Sequence, residues 1–125
     1  MGYLIEVASV IYAKKDIIDK FKADNTDRLK ELEIAFESNN DEGLMYVSNS
    51  DYDLIFLKGN SWKWYDTYTD VKAWHDLMDL ADKSGLVAEF LRIGEEYEDI
   101  EHEFFGNPED IQYYLQAERF IEANF

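Results

Sequence analysis

Hydrophobic positions along the chain change period several times, and each change marks an element. Residues 3–12, YLIEVASVIY, are apolar almost without interruption. That pattern fits a central strand covered on both faces. From Lys14 to Ser38 the period lengthens. Ile18, Phe21, Asn25, Leu29, Leu32 and Phe36 recur every three or four residues and form one helical stripe. Asn25 lies in the stripe and inside the cap-like cluster Asp24-Asn25-Thr26-Asp27, so one long helix and two helices broken there are both open. Asn39–Gly43 ends the segment with turn residues. Leu44–Val47 and Tyr52–Leu57 then read as a hairpin around Ser48–Asp51, with the second strand able to run on through Trp62-Lys63-Trp64.

Thr69–Lys83 is the next helix, with Val71, Trp74, Leu77, Met78 and Ala81 as its stripe and Gly85 where a capping glycine belongs. Leu86–Ile93 and Glu98–Phe105 read as strands. Asn107-Pro108-Glu109-Asp110 places a cap side chain, a proline and two acids at a helix start. A C-terminal helix with Ile111, Tyr114, Leu115 and Ile121 facing inward is expected after it. The order β-α-β-β-α-β-β-α predicts an α+β fold. Its first six elements suggest a ferredoxin-like split βαβ arrangement, with helices on one face of a mostly antiparallel sheet and the fifth strand beside the fourth. At 125 residues, with one proline and no linker, the chain reads as a single domain.

Charge changes the picture most. The formal net charge is −16, and residues 85–125 hold 11 acids against Arg92 and Arg119. Such a surface repels nucleic acid and anionic membranes and attracts basic partners. Zero cysteines exclude disulfides, thiolate chemistry and cysteine-based zinc sites, and fit a cytoplasmic protein. The apolar N-terminal run has no basic region before it, so it reads as a strand and not as a leader.

Acid density peaks in Phe90–Gly106, FLRIGEEYEDIEHEFFG. Glu95, Glu96 and Glu98 surround a turn, and Asp99, Glu101 and Glu103 share one face of the following strand. Same-face side chains on a strand lie about 6.6–6.8 Å apart, the scale of spacing along a nucleic-acid backbone. Ile100, Phe104 and His102 share the other face, which is expected to be the partly buried one. The plainer reading of the acids is an edge strand that uses charge against edge-to-edge aggregation. A divalent-cation site is a further reading, but no EF-hand spacing and no helical histidine pair is present. Trp62 and Trp64 share strand parity, and suit either a core or a partner surface.

Enzyme templates fail. The glycines are isolated, so no phosphate loop forms, and no serine has a nucleophile-elbow context. Asp51, Asp53 and Lys58 have a spacing that nucleases use, but the net charge opposes a nucleic-acid substrate. No cofactor, metal or catalytic residue is expected.

In charge and size the chain is similar to the DNA-mimic inhibitors of phages and mobile elements, such as antirestriction and anti-CRISPR proteins. That resemblance implies a cytoplasmic inhibitor that occupies the basic, nucleic-acid-binding site of another protein. Glu95, Glu96, Glu98, Asp99, Glu101, Glu103, Trp62 and Trp64 would be its partner surface. Alternatives are an immunity or antitoxin protein against a basic nuclease toxin, and a small ligand-binding or hydrolase domain.

Overall fold

The computed structural model describes residues 4–38, 42–63, 68–94, 100–117, 121–123 and 125. Its elements are β1 (Leu4–Ala13), α1 (Lys15–Asp24), α2 (Thr26–Ala35), β2 (Gly43–Ser48), β3 (Asp53–Lys63), α3 (Thr69–Lys83), β4 (Val87–Ile93), β5 (Ile100–Phe105), β6 (Leu115–Ala117) and β7 (Ile121–Ala123). The fold is α+β. Five strands form one antiparallel sheet in the order β2-β3-β1-β4-β5, and β6 and β7 form a separate hairpin.

The central strand explains the continuous apolar run. Val7, Ile11 and Ala13 face a core shared with the three helices, while Ala8, Val10 and Tyr12 face a second core on the other side. Each fully buried large aliphatic side chain contributes roughly 1.5–3 kcal/mol. Every residue of both predicted helical stripes is buried, Asn25 included. The long helical segment is two helices. Asn25 breaks it, because its side-chain amide donates to the Phe21 carbonyl at 2.9 Å and so caps a carbonyl that α1 leaves open. Helix α3 ends on Gly85 at φ +83°, where Leu86 N donates to the Ala81 carbonyl and Gly85 N to that of Asp82. This is the Schellman pattern, and it turns the chain straight into β4.

The predicted C-terminal helix does not form. Asn107 accepts from Glu109 N and Pro108 opens a turn as expected, but the turn is a 3₁₀ helix of three residues, Pro108–Asp110. The chain then leaves the turn extended at Ile111 and passes through Tyr113, at φ +56°, into β6. The reason is tertiary. Amides that a continuing helix needs are taken by groups on the sheet: Gln112 N donates to the Tyr12 hydroxyl, and Tyr114 N and Leu115 N donate to Glu89. Captured in this way, the C-terminal segment lies over the second face of the sheet, with Tyr114 and Leu115 buried against it.

Among the described residues, no helix is long and apolar enough to cross a membrane.

Candidate functional site: the β5 edge and its clamp

Strand β5 lies at one margin of the sheet, paired only to β4 among the described residues. Its partners set its faces. Phe105, Glu103 and Glu101 stand opposite Ala88, Phe90 and Arg92, on the helix side. Phe104, His102 and Ile100 stand opposite Glu89, Leu91 and Ile93, on the other side. For Ile100–Phe104 the predicted sharing of faces holds, with Asp99 outside the described residues, but the burial is reversed. Ile100 and Phe104 are 46% and 37% exposed, His102 is exposed too, and Glu101 and Glu103 are half-buried.

Phe105 decides the matter. It packs into the helix-side core, and strand parity then forces Glu103 and Glu101 onto that side. Arg92 makes the placement tolerable. Its Nε lies 3.1 Å from Glu101 Oε2, with the Glu101 side chain 42% exposed. Hydrogen bonding with Glu103, then the Arg92 guanidinium and the nearby His75, hold the Glu101 carboxyl below the ordinary range despite partial burial.

The other side of β5 is an exposed apolar patch. The Phe104 ring lies 4.4 Å from His102 and 5.2 Å from Tyr113, the latter edge-on. Tyr113 is 60% exposed and holds φ at +56°. An aromatic residue in the left-handed region is strained, so the surroundings must hold it there.

Glu89 does so. It sits on β4, is 0% exposed, and its carboxyl group accepts three hydrogen bonds: Tyr12 Oη at 2.9 Å, Tyr114 N at 3.1 Å and Leu115 N at 3.3 Å. The Tyr12 hydroxyl in turn accepts Gln112 N at 2.8 Å. The two residues before and after the Tyr113 peptide are thereby fixed to the sheet. Rings of Tyr52 and Tyr114 pack edge-on to Tyr12 at 5.8 and 5.0 Å, and Asn49 donates to the Tyr114 hydroxyl at 2.9 Å. Burial pushes the Tyr12 phenol well above its usual range, with Glu89 adding to the effect, and it pushes Tyr114 up as well. Burial also lowers His102, against a smaller upward pull from Glu89.

Of the predicted partner surface, Glu101 and Glu103 are brought together on β5. Trp62 is in β3, with its backbone opposite Ile5. Glu95, Glu96, Glu98, Asp99 and Trp64 lie outside the described residues. Sequence reasoning missed Glu89, Tyr12 and Tyr113. A signal for Glu89 existed: it is the acid at the parity of Val87, Leu91 and Ile93 in an otherwise apolar face, and a buried carboxyl group needs partners.

Among the described residues, no group of three or more histidine, aspartate or glutamate side chains could hold a metal ion. The described part of the site is a strand edge with carboxyl groups on one side and aromatic and aliphatic surface on the other. Comparison with protein-family models, with curated proteins and with solved structures finds no match to this chain.

Proposed function

We propose that the chain is a non-enzymatic acidic binding protein that occupies the basic, nucleic-acid-binding surface of another protein, in the manner of DNA-mimic inhibitors. One observation carries the reading. Beside its carboxyl groups, the β5 edge presents exposed Ile100, Phe104 and a strained Tyr113. An edge guarded only against aggregation would carry charge and little exposed apolar surface. Aromatic anchors next to charges are the composition of a binding surface. Net charge −16 sets the partner's sign and speeds encounter.

The inner strand order β2-β3-β1-β4 supports a ferredoxin-like split βαβ core, while the full five-stranded order departs from that four-stranded scheme. The scaffold would be a platform and would say nothing about the target.

The test is binding to basic nucleic-acid-binding proteins, nuclease toxins among them, as a function of salt. Affinity should fall steeply with salt, since exposed charges are screened over about 8 Å at physiological ionic strength. Reversing Glu98, Glu101 and Glu103 to Lys should abolish binding. Reversing Asp19, Asp24 and Asp27, which are exposed on α1 and α2, should weaken it much less. Equal losses would reduce the effect to net charge. Retained binding in the first variant, with the fold intact, would overturn the proposal.

A further inference from the structure

We propose that the cleft between α1 and the end of α3 binds a free amino acid with a large apolar side chain. The cleft has a volume of about 500 Å³, within the range that small ligands occupy. Ile17, Phe21, Leu80 and Leu86 give it an apolar lining, with Phe21 and Leu86 buried. Lys20, Asp24, Asn25 and Ser84 line the same space and supply a cation, an anion, an amide and a hydroxyl. An apolar wall with a few convergent polar groups is the composition of a small-molecule site.

Asn25 marks the cleft as more than a gap between helices. It is only 9% exposed. The cap on the Phe21 carbonyl uses its amide nitrogen and accounts for half of the side chain. Its Oδ1 accepts no hydrogen bond from any described residue. Nor is that oxygen sealed in, since among the described residues only Trp74 Nε1 is both fully enclosed and unpartnered. A nearly buried acceptor needs a donor, and the cleft that Asn25 lines is where one can reach it.

The charges specify the ligand. Lys20 and Asp24 are one helical turn apart on α1, a spacing of about 5–6 Å between Cβ atoms. Among the described residues neither takes part in an ion pair. A zwitterion satisfies both, with its carboxylate on Lys20 and its ammonium on Asp24 and Asn25 Oδ1. Partial negative charge on the last carbonyls of α3 also favours the ammonium at that end. The apolar side chain then lies on Phe21, Leu80 and Leu86. An anion is opposed by the net charge of −16, and a simple cation is opposed by Lys20. A molecule carrying both charges meets neither penalty.

The experiment titrates the whole chain with L-phenylalanine, L-leucine and L-tryptophan and follows its amide resonances by NMR. At least one should give saturable shifts at the Asn25 side chain and at Ser84. The N-acetyl derivative of that amino acid lacks the ammonium, and its amide lacks the carboxylate. Each should bind about tenfold more weakly or worse, the effect of one lost charge-assisted hydrogen bond. Lys20→Gln and Asp24→Asn alter exposed side chains, so their melting curves should match the parent. Lys20→Gln should weaken the free amino acid by about tenfold and leave the affinity of the amide unchanged. Asp24→Asn should spare the N-acetyl derivative in the same way. The proposal is overturned if no amino acid gives saturable shifts at the cleft up to its solubility limit. It is equally overturned if both derivatives bind as well as the free amino acid, or if both variants bind it as the parent does. These outcomes leave the acidic binding reading standing, because that reading is tested on basic proteins.

Discussion

The Tyr12 hydroxyl donates to Glu89 Oε1 at 2.9 Å, joining the central strand to its neighbour inside the second core. Both side chains are fully buried. Their remaining capacity is used on the C-terminal segment, so one pair of side chains holds the sheet and its cover together.

Glu89→Ala should therefore be among the most destabilising single changes in the chain. It leaves the Tyr12 hydroxyl and the amides of Tyr114 and Leu115 without their acceptor. Each buried unsatisfied group costs about 1–3 kcal/mol. Denaturant unfolding should show the loss, and hydrogen exchange should place it first at Tyr114 and Leu115.

The same pair predicts a response to alkali. The folded-state Tyr12 phenol lies above its ordinary value of 10.0, so its contribution is full below pH 10 and is lost as pH rises further. Between the unfolded and folded values, each such group costs about 1.4 kcal/mol per pH unit. Tyr12→Phe should be less stable at neutral pH, because Glu89 and Gln112 N lose a partner, and its stability should fall less steeply above pH 10. Denaturation curves at several alkaline pH values measure both effects.

Tyr113→Gly should separate stability from binding. Glycine adopts the +56° φ without strain, which offsets the lost contact with Phe104. The melting temperature should change little. Partner affinity should fall, because an exposed aromatic anchor is gone. A large loss of stability with unchanged affinity would mean that the ring serves only the fold.

Gly106→Ala tests the turn that leads from β5 into the C-terminal segment. Gly106 holds φ at +112°, and an added Cβ would lie 2.9 Å from the Leu86 carbonyl oxygen. Backbone strain and crowding should cost about 1–3 kcal/mol, measurable by denaturant unfolding. Gly85 also has positive φ, but open space surrounds its missing Cβ. Gly85→Asn should thus be the milder change, since asparagine tolerates the left-handed region.

Acid should act through Glu101. Its carboxyl titrates below the ordinary value of 4.5, so its stabilising contribution is present above that value and is lost as pH falls through the folded one. Arg92→Gln should raise the Glu101 titration midpoint, followed by its side-chain carboxyl resonance in NMR. An unchanged midpoint would assign the depression to Glu103 and His75.

What the sequence determined by itself was whatever local periodicity and capping control. The stripes through Ile18 to Phe36 and through Val71 to Ala81 are buried as a period of 3.6 requires. Gly85 ends α3 because a cap glycine acts on its own turn, and the apolar run of β1 reports burial on both faces. The α+β class follows from that order of elements. Tertiary structure decided the rest. Strand parity pairs Ile100 with Phe104 and Glu101 with Glu103, but it cannot say which pair looks outward. Phe105, seated in the helix-side core, chose. The local signal at Asn107-Pro108-Glu109-Asp110 starts a helix, yet it cannot foresee that Tyr12 and Glu89, far back in the chain, take the amides needed to continue it. Both outcomes rest on contacts between residues remote in sequence, where burial and hydrogen bonding outweigh the propensity of any short stretch.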